Sequence, residues 1–274
     1  MLATVIDVAE RLIASAAQAS APLIGIGVDA AGIVDPETGS IAYANEIMPG
    51  WTGQPVRERL VAATGLPVAV MGDVHAHALG EARWGAARDA ESCLLVGVGT
   101  GLGGAYVLKG SVVRGFHGAA GHLGHTLHHA AAGIRCSCGA SSHVESVTSG
   151  TAISARYQGR FVGEALDPSF MGDEVAHRAV AGEERARNVL EFCGEALGEA
   201  IGSWCNALDP ACVVLSGSVV NAGPVWRVAV ERGISAQTLA PLADIPLIDG
   251  ALGGAAPLIG AAENLVDALA GTRP

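Results

Sequence analysis

The sequence predicts an α/β fold, and three observations carry that expectation. Four apolar runs of strand length, residues 23–28, 66–71, 94–98 and 212–215, each lead into a turn rich in Gly, Asp or Ser. Several longer segments between them repeat apolar residues at helical spacing. Gly and Ala are abundant while aromatic residues make up 4% of the chain, a composition that lets helices pack closely on sheets. Half of the 274 residues are apolar, enough for one large core or two modest ones.

The elements follow in order. Residues 3–18 set Val5, Ile6, Val8, Ala9, Leu12, Ile13 and Ala16 on helical spacing, and Pro22 ends that helix. Residues 23–28 read as a buried strand, and residues 35–39, Asp-Pro-Glu-Thr-Gly, as a turn. A helix near 56–64 precedes the strand at 66–71, which ends in Gly72-Asp73 before a helix from 74 to about 84. A carboxylate at the carboxyl end of a buried strand is placed for chemistry, and equally placed to cap the next helix. Residues 94–98 form a third strand that runs into Gly99-Thr100-Gly101-Leu102-Gly103-Gly104, then residues 105–108 and a Lys109-Gly110 turn. Glycines let backbone N–H groups approach phosphate oxygens, although Gly-rich hairpins without a ligand are common. A helix starting near Thr148 comes next, and a peripheral helix and turn occupy about 168–182. Residues 183–208 are the longest helical pattern, with Val189, Leu190, Cys193, Leu197, Ile201 and Trp204 on one face. Strands at 212–215 and 245–248 and a closing helix at 256–269 complete the chain.

The formal charge of −11 and the lack of a basic cluster exclude a nucleic-acid or anionic-membrane surface, because both need cationic patches. Asp7, Glu10 and Arg11 interrupt the apolar start, so no signal peptide is expected, and no run is long enough to span a bilayer. Six cysteines are too sparse for a disulfide scaffold, and a cytoplasmic location is expected.

Residues 118–145 hold five of the nine His, two of the six Cys and Glu145 in a run without strong periodicity. Thiolates and imidazoles converging from one short segment suit a tetrahedral Zn²⁺, and four protein ligands with no open position make such a site structural. The expected ligands are His125, Cys136, Cys138 and His143, with His122, His128 and His129 to spare. The alternative is a solvated His-rich loop beside two ordinary thiols. A Cys136–Cys138 disulfide is disfavoured by geometry.

The same segment resembles the signature of the ROK family (repressors, open reading frames and sugar kinases), in which Gly-x-x-Gly-Glu-x-Gly-His leads into Cys-x-Cys-Gly-x-x-Gly-Cys-x-Glu. Here His122 stands where the family has a sugar-contacting Glu, Ser142 where it has Gly, and His143 where it has the last zinc-binding Cys. The pattern around His122 resembles that of some bacterial N-acetylmannosamine kinases. Residues 25–41 are similar to the strand before the sugar cleft, with Gly32 near the sugar and Asn45 and Trp51 matching the residues that follow. Asp73 matches the catalytic base, with Gly72 in place of an Asn. Gly99, Thr100, Gly101 and Gly103 match the second phosphate loop, and Ser216 and Gly217 the adenosine-binding turn, where Ser216 replaces the first of two glycines.

The resemblance implies an actin-like ATPase (ribonuclease H-like) fold of two lobes, residues 1–90 and 91–274. The family normally begins with an Asp-x-Gly-x-Thr hairpin that this sequence does not contain, so a truncated N-terminal lobe is expected. It further implies ATP-dependent phosphorylation of a hexose or N-acetylhexosamine at the 6-hydroxyl, with N-acetylmannosamine favoured and glucose next. Asp73 would be the base, while Gly32, Asn45, His122, His125 and Glu145 would hold the sugar. The cofactors implied are structural Zn²⁺, Mg²⁺ and ATP, in a homodimer. The alternative is a non-catalytic sugar-binding protein or a decayed kinase.

Overall fold

The computed structural model describes residues 1–45, 48–171 and 173–271. Helix α1 (Leu2–Gln18) leads to strand β1 (Ile26–Ala30) and a hairpin of β2 (Ile33–Val34) and β3 (Ile41–Tyr43). Helix α2 (Val56–Thr64), strand β4 (Val68–Gly72) and helix α3 (Asp73–Trp84) follow. Val68, Ala69, Val70 and Met71 are all buried, as expected of a strand covered on both faces. β4 pairs in parallel with β1, and the register Ala30↔Gly72 brings both carboxyl ends to one edge. Ile41, Trp51, Val56, Leu60 and Val70 pack together beneath Val5, Ile6 and Ala9 of α1. The indole of Trp51 donates to the Ala31 carbonyl at 3.1 Å, so this tryptophan anchors the loop that leaves β1.

The second sheet comprises β5 (Ser92–Val98), β6 (Leu102–Leu108), β7 (Ser111–Val112), β8 (Cys212–Ser216) and β9 (Leu247–Asp249), in the order β7-β6-β5-β8-β9. β8 runs parallel to β5 and β9, while β6 is antiparallel to β5 and β7. Between β7 and β8 lie helices α4 (Glu145–Thr148), α5 (Gly150–Tyr157), α6 (Glu174–Val180) and α7 (Glu184–Leu208). Helix α8 (Pro224–Gln237) links β8 to β9, and α9 (Ala256–Leu269) follows. The expected apolar stripe of α7 packs with Leu94, Val96, Val98, Val213 and Leu215 on one face of the sheet. On the other face, Cys93, Leu95, Cys212 and Val214 meet Ala76 and Leu79 of α3. Helix α3, with Asp73 at its start, is therefore held against both sheets.

Two relationships were not visible in the pattern. Helix α8 packs along α7, where Gly198 meets the Val230 carbonyl and Gly233 so closely that a Cβ would collide with them. Helix α9 crosses back to the first sheet, with Gly260 against the Ala76 carbonyl and Ala261 against Gly27. Helix α9, expected with residues 91–274, thus packs against β1 and α3. Among the described residues, no helix is long and apolar enough to cross a membrane.

Candidate active site and metal centre

The parallel pairing of β1 and β4 delivers Gly32 and Asp73 to the same edge, opposite Gly103 and Gly104 of β6. These residues line a cavity together with His75, Gly121 and His122. Gly32 takes φ +95° and has no room for a Cβ beside the Tyr43 carbonyl, so the chain can turn here only as glycine. Asp73 is the first residue of α3, behind an N-cap at Gly72 that makes no side-chain cap bond, so Asp73 is not the cap that the sequence alternative expects; one of its oxygens accepts only the adjacent Val74 N–H at 2.8 Å. Its carboxylate remains exposed to the cleft. The protein crowded around it excludes enough water to raise its pKa, and the nearby Asp29 adds to the rise, against the lowering effect of the Val74 N–H and His122.

His122 reaches the cavity with its Nδ1 2.9 Å from the Ala119 carbonyl. The loop that presents it is tied to the sheet by the Gly104 N–H, which donates to the Gly121 carbonyl at 2.9 Å. Asn45 and Glu145, expected on the sugar, are not among the residues lining this cavity. Glu145 instead bridges two segments: one oxygen accepts the Leu102 N–H and the other the Ser137 hydroxyl, each at 2.9 Å. That bond fixes the start of β6 against the cysteine loop.

A second cavity of about 440 Å³ lies on the far side of the β5–β6 turn, a size suited to a nucleotide. Gly99 and Thr100 line it, with Gly150 and Thr151 of α5, Asp173 and Ala176, and Ser218 and Asn221 after β8. The turn is pinned to α5, since Gly150 N donates to the Gly99 carbonyl at 2.8 Å and the Thr151 hydroxyl to the Thr100 carbonyl at 2.9 Å. Strand β6 starts at Leu102, so Gly103 lies within the strand and faces the Asp73 cavity rather than this one. Gly101 stays in the turn, close to the Glu145 carboxylate. Ser216 turns away, with its hydroxyl 2.8 Å from His77 Nε2, because it shares a face with Val214 and Cys212. Gly217, at φ +96°, packs on the Val98 carbonyl. Ser218 belongs to the turn expected at adenosine, whereas Gly150, Thr151 and Asn221 are lining residues that the sequence does not single out. The Thr-Ser-Gly before α5 and the Ser-Val-Val-Asn run after β8 were the available signals.

His125, Cys136, Cys138 and His143 converge, with their ligand atoms all within 4.8 Å of one another. Cys136 Sγ lies 3.6 Å from His125 Nδ1, and Cys138 Sγ 3.2 Å from His143 Nδ1. A zinc tetrahedron with ordinary Zn–S and Zn–N bonds has S···N edges of about 3.6 Å, so the donor set fits the ion. Short antiparallel bridges, Leu127↔His143 and Arg135↔Ser141, bring the pairs together. Ser142, where the family signature has glycine, sits at φ +70°, and its hydroxyl accepts the Gly133 N–H at 3.0 Å. Burial pushes the Cys136 thiol up and the His125 imidazole down. Both cysteines are free thiols.

The ROK family model matches residues 2–267. The chain belongs to the ROK family. This ROK protein is 34% identical over 248 residues to a glucokinase of Halalkalibacterium halodurans, which covers 87% of this chain and 74% of the relative. A ROK hexokinase from Thermus thermophilus superposes with TM-score 0.82 at 30% identity, over 98% of this chain and 87% of that one. A ROK transcriptional regulator, homologous to the E. coli MLC protein, also reaches 0.82 at 29% identity, over 98% of this chain and 69% of its own. The fold is therefore the two-lobed actin-like ATPase architecture of the ROK sugar kinases.

Proposed function

We propose that this ROK protein transfers the γ-phosphoryl group of ATP to the 6-hydroxyl of a hexose or N-acetylhexosamine. The observation that carries the proposal is Asp73, a carboxylate at the carboxyl end of β4, exposed to a cleft and held above its ordinary pKa. Such a group can take the hydroxyl proton as the sugar oxygen bonds to phosphorus and ADP departs. Most of the acceleration then comes from positioning and from charge neutralisation by the Mg²⁺ that accompanies ATP. Gly99, Thr100 and Gly101 form the turn next to the larger cavity, and Gly103 faces Asp73, so the γ-phosphate would lie at this hairpin.

Gly32 and His122 would meet the sugar directly. His125 and Glu145 would act on it through the loop, His125 as a Zn²⁺ ligand and Glu145 by its bonds to Leu102 and Ser137. Zn²⁺ held by His125, Cys136, Cys138 and His143 would supply rigidity, fixing the segment that presents His122. His122 in place of the family's Glu supports N-acetylmannosamine as the substrate, while the glucokinase relative supports glucose. Family resemblance supports a homodimer, and six free thiols suit the reducing cytoplasm.

The second reading is a sugar binder without phosphoryl transfer. Gly72 favours it, because the residue before Asp73 offers no side chain to a sugar hydroxyl, as does the close match to a transcriptional regulator. ADP release from Mg-ATP with a panel of hexoses, including N-acetylmannosamine and glucose, separates the two. Sugar-dependent release that falls by about 10²-fold or more in Asp73→Asn supports the kinase. Silence with every sugar, while one still raises Tm, supports the binder.

A further inference from the structure

Two of the imidazoles left over from the tetrad, His128 and His129, turn their Nε2 atoms toward one oxygen of Glu199 on α7. His128 Nε2 lies 3.3 Å and His129 Nε2 3.6 Å from Glu199 Oε2, and the three ligand atoms are all within 4.8 Å of one another. We propose that His128, His129 and Glu199 form a second metal site, which takes an exchangeable divalent transition ion and clamps the 118–145 segment to α7.

The geometry has the dimensions of a coordination sphere. Donor atoms bound about 2.0–2.2 Å from a common ion stand about 3.0–3.5 Å apart, close to both observed separations. Two nitrogens and one carboxylate oxygen select Zn²⁺, Co²⁺, Ni²⁺ or Cu²⁺ over Mg²⁺ or Ca²⁺, which prefer all-oxygen sites. Three protein ligands leave positions for water, unlike the closed tetrad. The gradation of exposure agrees: the side chain of His128 is 9% exposed and that of Glu199 20%, while His129 at 76% lies open to solvent. An ion could therefore enter and leave from the His129 side.

The frame around the site is ordered by other contacts. The His128 N–H donates to the Ser142 carbonyl at 3.0 Å, Ala131 is buried with Val147 of α4 and Ala196 of α7, and the Trp204 indole meets the Thr126 hydroxyl at 3.3 Å. The segment and α7 are thus already in register, and the ion needs no large rearrangement. His128 Nδ1 accepts the Ala130 N–H at 3.3 Å. An ion on Nε2 moves the ring proton to Nδ1 and releases that long bond, so occupancy alters the 129–131 turn. None of this depends on whether the chain is a kinase.

The test dialyses zinc-loaded protein to equilibrium against buffer holding a fixed concentration of Co²⁺ and counts both metals on each side of the membrane by elemental analysis, so that retention means Co²⁺ in excess of the free ion. Wild type is expected to retain one Co²⁺ per chain with its zinc undiminished and without thiolate-to-cobalt absorption. His129→Ala and Glu199→Gln should retain none while keeping their zinc. His129 is exposed, so its variant tests the site without endangering the fold. Failure of wild type to retain Co²⁺, retention only at the expense of zinc, or equal retention by the variants would overturn the proposal.

Discussion

The Nε2 atom of His75 lies 2.7 Å from the carbonyl oxygen of Ala120, joining the first turn of α3 to the loop that carries His122. A carbonyl only accepts, so Nε2 is the protonated nitrogen. His75 is 6% exposed, and its removal leaves that carbonyl without its partner. His75→Ala should lower stability by about 1–3 kcal/mol in denaturant titrations. It should also raise KM for the sugar more than for ATP; equal effects on both would remove His75 from loop positioning.

In the proposed base role, the raised pKa of Asp73 sets the acid side of activity. Turnover requires the ionised carboxylate, so kcat/KM should fall as pH drops through a value above the ordinary 3.8. A pH–rate profile that stays flat down to 3.8 would remove Asp73 from the base role.

Stability should move with pH as well. Burial lowers the pKa of both His75 and His77 below 6.5. Below that value the unfolded chain takes up protons that the folded chain refuses, so their contribution is complete above 6.5 and declines as pH falls. Each group costs up to about 1.4 kcal/mol per pH unit within that window. Urea unfolding at pH 7.5 and 5.5 measures the decline, and a gain on acidification would contradict it.

On the proposed Zn²⁺ site, chelation should loosen one region and spare the rest. In hydrogen exchange, the amides of residues 126–143 should lose protection after chelation while those of α8 and α9 keep theirs. Sugar affinity should weaken in parallel, because His122 rides on the same segment. Cys138→Ser should reproduce both changes, and uniform protection after chelation would show that the segment needs no metal.

Gly260→Ala tests the seat of α9. The added Cβ meets the Ala76 carbonyl, which is helix backbone and cannot swing aside. A cost of about 1–3 kcal/mol or more is expected from thermal or chemical unfolding.

The legibility of this chain follows the range over which each feature is specified. Helices α2 and α9 and the stripe on α7 can be read because period and punctuation are local. The convergence of His125, Cys136, Cys138 and His143 can be read because they span only residues 125–143, so chain proximity brings them together. Glu145 could not be placed, because its partner Leu102 is 43 residues away and belongs to a strand that the glycines disguise as a loop. Ser216 was drawn to the nucleotide by its neighbour Gly217, whereas the alternation of β8 turns its hydroxyl to His77. Helix α8 is masked by its small residues, Ala229 and Gly233, which hydropathy undervalues and close packing on α7 requires.

Because α9 seals the sheet made by β1 and β4, that lobe is not complete on the ribosome until residue 269 has been made. The second sheet, contained within residues 92–249, has all its strands earlier and can cover Ala76 and Leu79, whereas the flank of α3 at Gly80 and the Ala76 carbonyl, which Ala256 and Gly260 of α9 cover, stays open meanwhile. A nascent chain halted before α9 would present that flank to chaperones, and the long separation between Ala76 and Gly260 makes its closure a slow, late event of folding.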